Sequence, residues 1–588
     1  MKPKEWTIMV YMAGDNNLAV DMAYAMEQIK EVAGEGAESR NVLVYYDGNS
    51  PQIPTLYCDF SDPQAQYVPS ATVPDKLYPV PRKWNENAAD PKSVKNFVDW
   101  CVNTRGRRAN RYALIFSGHS LGFLDKGLFK DETAGKAMKI EDLFFLIQRL
   151  ILPKKQLAKL AKGLEGEERA RETTPLIGQH LDILGFDSCV MGMLEVGYQF
   201  QHLTQTMIVS EGSVPSAGWS YAKILGSLCG GKRSTKEVAA NFVKEFIRGQ
   251  DKFIVGGVTV DMAAWDLESG FNELANAFDG LSQVLIDCFQ HEGSLIYRQM
   301  ARIILQVHWK CQSYMYDQNI DLGDFCHLLQ AECKSVAEEL GGGEGLELLQ
   351  AVQELCQCVL SELEKIVLLS GFSGGGYQYS NGVSVFFPWS WEGYLVSREN
   401  YESLWFTKDR KNGNFGDKWQ GWADFLKLYL SEVTFRKVAP LTPDAPFGAK
   451  YRYRSGSIFD EESGSLPLTG SEVPLTKMGT SQTSKMGTSQ TSKLGSSQTS
   501  KMGTSQTSKM GTSQTSKMGT SQTSKMGTSQ TSKMGTSQTS KLGGGGVEAF
   551  YDKLKLWKNI ESRFDISGFT KRPEETEPEA AGAYDSPH

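Results

Sequence analysis

The stretch Leu181-Asp182-Ile183-Leu184-Gly185-Phe186-Asp187-Ser188-Cys189 constrains this chain more than any other. Its apolar run reads as a buried parallel strand, and Asp187-Ser188-Cys189 breaks the run just before a helical pattern at Met191, Leu194, Glu195 and Tyr198. The cysteine is therefore placed at the carboxyl end of a strand, where open α/β sheets put their ligands and chemistry. A helix N-terminus following at that point is expected to favour the thiolate. A second run, Tyr112-Ala113-Leu114-Ile115-Phe116, closes on Ser117-Gly118-His119-Ser120 and puts an imidazole in the loop after its own strand. A thiol with a base remote in sequence is the logic of nucleophilic cysteine catalysis, although a strand-end cysteine is otherwise a small buried hydrophobe.

These two segments resemble those of the clostripain-like peptidases, in the caspase-like group, which carry a strand ending in Gly-His and a later strand ending in Asp-x-Cys-x-Met-Gly. Further segments match in the same order. Thr7-Ile8-Met9-Val10-Tyr11-Met12-Ala13-Gly14-Asp15-Asn16-Asn17-Leu18 looks like the family's first strand and its turn, and Asp131-Glu132-Thr133-Ala134-Gly135 like the segment after the histidine. Ser210-Glu211-Gly212 through Gly218-Trp219-Ser220-Tyr221 is similar to the loop after the next strand, and 319–325 and 381–388 are similar to later segments. The resemblance covers about residues 5–431.

The resemblance implies a cysteine endopeptidase with Cys189 as nucleophile and His119 as base, and an oxyanion held by the backbone N–H groups of Ser120 and Cys189. It implies that Asp187 lines the pocket for the P1 side chain, with Ser210, Glu211 and Trp219 as further substrate-binding residues. Family members cut after Arg or Lys. Ala222 and Lys223 stand here where an acidic residue would reinforce the pocket, so a weakened basic preference is expected. Ser120 follows the histidine where the family has glycine, and Ser188 precedes the cysteine where it has alanine. A serine held at a glycine's backbone angle would misdirect the oxyanion donor. A second reading follows from that: a weak or inactive homologue acting as a binding or scaffold protein through its groove and C-terminal arm. Calcium serves some relatives, but no acidic run here has the spacing of an oxygen cage, so no metal ligand or cofactor is assigned.

The rest of the pattern is that of an α/β protein. Mostly buried strands over 7–12, 41–46, 112–116, 181–186 and 207–210 alternate with amphipathic stretches at 18–32 and 88–104. A mostly parallel, caspase-like sheet flanked by helices is predicted, extended by strands at 253–261 and 382–387. Residues 271–370 read as a helical subdomain, with helices at 274–286, 295–307 and 346–369 and with His308 and His327 as structural residues. The segment 153–174 carries both charge signs at helical spacing and reads as a solvated helix. Its alternative is a processing loop, with basic sites at Lys136, Lys139, Lys154, Lys155, Arg169 and Arg171.

Composition shifts beyond the aromatic-rich end of this region. A linker over 432–476 leads into eight tandem octapeptides over 477–540, Lys-Met-Gly-Thr-Ser-Gln-Thr-Ser with two variations. One weakly apolar residue in eight buries too little surface to offset chain entropy, so a disordered arm is predicted, with a stacked solenoid as the alternative. Val547, Phe550, Leu554, Trp557 and Ile560 then mark an amphipathic helix over 547–564, suited to a protein partner, before an acidic tail over 565–588.

The net charge of −7 gives no reason to expect nucleic acid. No apolar run reaches the ~18 residues of a membrane helix, so no membrane partner is expected. Met1-Lys2-Pro3-Lys4 leads directly into a strand without an apolar leader, which with ten scattered cysteines leads to the expectation of a cytoplasmic protein.

Overall fold

The computed structural model describes residues 3–435 except 51–52, 62–65, 74–83, 105–106, 125–126, 227, 229–232, 251–258, 269, 291–294, 315–317, 341–344 and 412–420. The linker, the octapeptides, the 547–564 helix and the acidic tail lie outside the described residues.

The chain begins with β1 (Lys4–Gly14), α1 (Ala19–Ala33) and β2 (Arg40–Gly48), then turns back through β3 (Leu56–Asp59) and β4 (Gln66–Pro69). Next come α2 (Pro91–Asn103), β5 (Ala109–Ser117), the small hairpin β6 (Leu128–Asp131) and β7 (Lys136–Met138), and three helices: α3 (Ile140–Ile151), α4 (Lys154–Leu160) and α5 (Gly166–Thr173). Helix α2 starts sharply because Asp90 accepts from the Lys92 N–H and Pro91 needs no partner for its own nitrogen. The mixed-charge insertion forms two short solvated helices, α4 and α5, rather than one.

The second half opens with β8 (Leu181–Asp187), α6 (Leu194–Phe200), β9 (Thr204–Val209), α7 (Tyr221–Gly226), α8 (Thr235–Gly249) and β10 (Val260–Asp266). A helical portion follows: α9 (Phe271–Gln290), α10 (Leu295–Lys310), the short β11 (Ser313–Tyr314) and β12 (Asn319–Asp321), α11 (Leu322–Leu340) and α12 (Leu346–Ile366). It ends in β13 (Val367–Ser373), β14 (Ser384–Phe386), α13 (Trp391–Ser403), α14 (Trp405–Lys411) and α15 (Trp422–Phe435).

Nine strands make one sheet in the order β13-β10-β9-β8-β5-β1-β2-β3-β4. The five central strands from β9 to β2 are parallel, and antiparallel pairs close both sides. Every residue of β2 and β8 is buried, because helices cover both faces. On one face Tyr11 and Tyr45 pack with Phe97 of α2, their own rings stacked at 4.0 Å, and Phe116 packs edge-on against Tyr11. On the other, Ile8, Val10, Val44 and Ile115 meet α1, α7 and α8. Strand order reverses at β1, whose neighbours are β2 on one side and β5 on the other. The crevice beyond the carboxyl ends of β1 and β5 is therefore the position at which such sheets bind ligands.

Three strand and helix expectations shift. The strand expected at 253–261 runs from Val260 to Asp266, and 251–258 is outside the described residues. The strand expected at 382–387 does not join the main sheet: Ser384–Phe386 pairs with β12 in a separate three-stranded sheet. The helix expected to reach 369 ends at Ile366, and Val367–Ser373 pairs antiparallel with β10 as the sheet's edge. The β-branched Val367 and the glycine and serines after Leu369 favour extension over helix there. His308 is structural, as expected. Its ring is sandwiched between Phe387 at 3.9 Å and Trp389 at 3.7 Å, and burial pulls its pKa down to about 3. No helix among the described residues is long and apolar enough to cross a membrane.

Candidate active site

The register of the central strands sets the loops that carry His119 and Cys189 side by side. Ser117 of β5 pairs with Asp187 of β8, and His119 and Cys189 each follow two residues later in adjacent loops. The loops are joined directly: the Ser120 hydroxyl donates to the Cys189 carbonyl at 2.5 Å, and the Gly118 N–H donates to the Asp187 carbonyl at 3.4 Å.

Cys189 is half-buried, and its Sγ accepts the Val214 N–H at 3.3 Å. Burial pushes the thiol pKa up; the Val214 N–H opposes this, and the carboxyls of Asp187 and Asp261 add to it. The helix expected to favour the thiolate starts only at Leu194 and does not act at the sulfur. The intervening turn is tied elsewhere, with the Val190 N–H on the Gly212 carbonyl at 2.9 Å and the Gly192 N–H on the Ser210 carbonyl at 2.8 Å. Val190 is forced to a φ of +54°, a left-handed conformation that a β-branched residue adopts only when its surroundings impose it.

His119 is half-buried, and burial lowers its pKa, with Glu132 opposing and Lys130 assisting. Its Nε2 lies 2.7 Å from the Asn17 side-chain oxygen. That oxygen can only accept, so Nε2 carries the hydrogen and Nδ1 keeps its lone pair in the neutral ring. Asn17 was not singled out as a site residue from the sequence. It belongs to the turn after β1, which carries the resemblance as a segment but gives no sign of which side chain faces the imidazole.

Ser120 has an ordinary backbone: among the described non-glycine residues only Phe129 and Val190 have positive φ. Its bridge to Leu128 is made by the His119 carbonyl and the Leu121 N–H, which leaves the Ser120 N–H outside that ladder.

The remaining candidates are buried. Asp187 is 4% exposed, with Oδ2 accepting from the Tyr221 hydroxyl at 2.9 Å and the Ser117 hydroxyl at 3.1 Å. Burial raises its pKa to about 6 against those hydrogen bonds. Trp219 packs edge-on over Gly185, where an added Cβ would meet its ring at 2.9 Å. Ser210 donates to the Asp261 carbonyl at 2.7 Å, and Glu211 accepts the Gly382 N–H at 2.8 Å. Asp261, which no local motif marks, accepts the N–H groups of Glu211 at 2.6 Å and Gly212 at 2.8 Å. It thereby fixes the loop that supplies the Val214 N–H to the thiol.

Among the described residues, one group of acidic side chains could hold a metal ion: Asp15, Asp47 and Asp131, drawn from three separate segments. No sequence spacing marks it.

An open α/β sheet with a thiol and an imidazole at adjacent strand ends sets the class of this protein. Residues 10–419 match the model of the clostripain family, peptidase family C11. The chain belongs to that family. Clostripain of Hathewaya histolytica is 26% identical over 252 residues, a match that covers 40% of this chain and 44% of that relative, less than half its length. An inactive zymogen C11 protease from Parabacteroides distasonis is 17% identical with a TM-score of 0.47, over 70% of this chain and 99% of the other. A secreted C11 cysteine protease from Bacteroides thetaiotaomicron, solved with an irreversible peptide inhibitor, is 17% identical with a TM-score of 0.45, over 68% and 98%.

Proposed function

We propose that this chain is a cysteine endopeptidase in which Cys189 attacks the peptide carbonyl and His119 moves the proton. The observation that carries the reading is the register that puts both residues two positions beyond the paired Ser117 and Asp187, with the imidazole's Nε2–H held by Asn17. The thiol proton passes to Nδ1 as the Sγ–C bond forms. It then goes to the leaving amine nitrogen as the C–N bond breaks, giving a thioester. Water adds to the thioester carbon and gives its proton to Nδ1; collapse releases the acid and returns the thiol. The N–H groups of Ser120 and Cys189 hold the oxyanion. The negative φ of Ser120 and its hydroxyl bridge to Cys189 favour this over the reading as an inactive scaffold.

Asp187 forms the floor of the P1 pocket, with Trp219 packed beneath the strand and Ser210 and Glu211 holding the wall. Because its carboxyl is buried, engaged by two hydroxyls and titrates near neutrality, its pull on a cationic P1 side chain is weakened. Peptide or protein substrates with a modest preference for Arg or Lys are the consequence. A peptidyl acyloxymethyl ketone should label the chain only while Cys189 is present. Hydrolysis persisting in the Cys189→Ala chain, or a P1 profile dominated by acidic residues, would refute the assignment.

A further inference from the structure

A cleft with about 340 Å³ of space free of protein atoms is lined by Leu121, Phe123 and Leu124 from the loop after β5, by Val190 and Met193 from the turn after β8, and by Phe386 of β14. It adjoins the dyad: Val190 directly follows Cys189, and Leu121 stands two residues after His119. The rest of its lining is amide, from Gln318 and Asn319, and among the described residues no charged side chain lines it. Phe123, Val190, Met193 and Phe386 are each at most 4% exposed, whereas Leu121 and Leu124 are half-buried and keep surface for a ligand. An apolar concavity with a few polar groups at its border has the ordinary form of a side-chain subsite.

Its walls are held by contacts that spare the reacting atoms. Gly122 has a φ of +64°, and a Cβ there would meet Met193 Sδ at 2.9 Å and the Val190 carbonyl oxygen at 3.0 Å, so a glycine lets the two loops lie against each other. The Phe123 ring stands edge-on to Phe386 at 5.2 Å, and the Leu124 N–H closes a turn on the Leu121 carbonyl at 3.3 Å. Val190 is held at a φ of +54° with its N–H on the Gly212 carbonyl, and in that conformation it lines the cleft. Strain of this kind persists only where the surrounding structure imposes it, and it clusters at ligand sites.

The side of the scissile bond that the cleft serves follows from the chemistry. The acyl half of a substrate belongs to Asp187, whose neighbours Trp219 and Tyr221 pack in the core on the α1, α7 and α8 face of the sheet. Phe123, Met193 and Phe386 belong to the core on the other face, with Tyr11, Phe97 and Phe116. The leaving nitrogen takes its proton from His119, so the chain beyond the scissile bond departs past the loop that follows β5. We propose that this cleft is the S1′ subsite and that it takes an aliphatic P1′ side chain such as leucine or methionine, an assignment that rests on the peptidase reading above. An aliphatic side chain exchanges water for Leu121, Leu124 and Val190. A charged one would lose hydration without meeting a counter-charge, and the cleft rejects it.

The test gives the full chain internally quenched fluorescent peptides with Arg fixed at P1 and Gly, Leu, Met, Asp or Lys at P1′, and a second series varied in the same way at P2. With Leu at P1′, kcat/KM should exceed that with Gly on the order of tenfold or more, and Asp and Lys should fall below Gly. Leu124→Ala should shrink the Leu-to-Gly ratio, and Leu124→Lys should turn the preference toward Asp. Each variant is read as a ratio between peptides, so a general loss of activity does not count, and the parent's profile decides the matter if a variant fails to fold. Equal kcat/KM for Leu and Gly at P1′ in the parent, or a preference for Asp there, would overturn the proposal. So would an undiminished ratio in a folded Leu124→Lys chain, or a dependence on aliphatic side chains at P2 with P1′ flat, which puts the cleft on the acyl side. In all of these results peptides are still cleaved and the peptidase reading stands, whereas no cleavage of any peptide would defeat both.

Discussion

His119 Nε2 and Asn17 Oδ1 stand 2.7 Å apart across the crevice where strand order reverses, one after β5 and the other after β1. The contact selects the imidazole tautomer that leaves Nδ1 unprotonated, the atom that serves as base in the proposed mechanism. Asn17→Ala should lower kcat on the order of tenfold or more, within the ~10²–10⁴ that general acid–base catalysis supplies, with little change in KM. Asn17→Asp sets a carboxylate against the ring, raises its pKa and moves the acid limb of kcat/KM to higher pH. A kcat and a pH profile both untouched by these changes would show that the contact has no role in catalysis.

The thiol and the imidazole are shifted in opposite directions, Cys189 up and His119 down, chiefly by burial in each case. Both shifts favour the neutral pair over a thiolate–imidazolium pair. The base acts unprotonated, so kcat/KM should rise with pH through an imidazole pKa below the usual ~6.5. Alkylation of Cys189 by iodoacetamide should be slow at neutral pH and still climbing above the usual thiol pKa of ~8.5. A rate already level by about pH 6 would reveal a preformed thiolate and contradict this reading.

The parallel centre of the sheet was legible because each of its strands carries a short, mostly apolar run, such as Ile8 to Met12 in β1 and Tyr112 to Phe116 in β5. The strand Val367–Ser373 was not, since Leu346 to Leu369 reads as one amphipathic run and only pairing with β10 ends the helix at Ile366. At the site, the strand ends before His119 and Cys189 are local signals carried by a few adjacent residues. Asn17, Asp261 and the aspartate cluster are tertiary. Asp261 reaches the loop at Glu211 from 50 residues away, and Asp15, Asp47 and Asp131 come from three segments with no shared spacing. The expected effect of a helix on the thiol failed because Gly212 and Ser210 capture the amides that an earlier helix start would have used.

Gly218 has a φ of +67°, and a Cβ there would meet Asp187 Oδ2 at 2.6 Å. Gly218→Ala combines a left-handed residue, costing about 1–2 kcal/mol, with displacement of a buried carboxyl from its two hydroxyl partners. The variant should melt earlier than the parent and should raise KM more for Lys or Arg at P1 than for an uncharged residue. An equal change for both substrate classes would separate Asp187 from P1 selection.

Glu195 opens α6 and is fully buried, with Oε1 accepting the Phe386 N–H at 2.9 Å and the Tyr401 hydroxyl at 3.4 Å while Oε2 has no donor. A helix N-terminus favours a carboxylate, yet burial wins and lifts the pKa to about 7. The folded chain therefore binds this proton more tightly than the unfolded chain, whose glutamate titrates near ~4.3. The stability it contributes is complete below that value and is lost as pH rises through about 7. The difference amounts to on the order of 3 kcal/mol. Glu195→Gln keeps an accepting oxygen for the Phe386 N–H and cannot ionise. Between about pH 5 and pH 8 the melting temperature of the parent should fall, and that of the glutamine variant should fall less. Some slope must survive in the variant, because Asp187, Asp261 and Asp321 are also buried and titrate near 6, 7 and 6. Identical slopes in parent and variant would mean that Glu195 stays ionised in the folded chain, held by a donor that this geometry lacks.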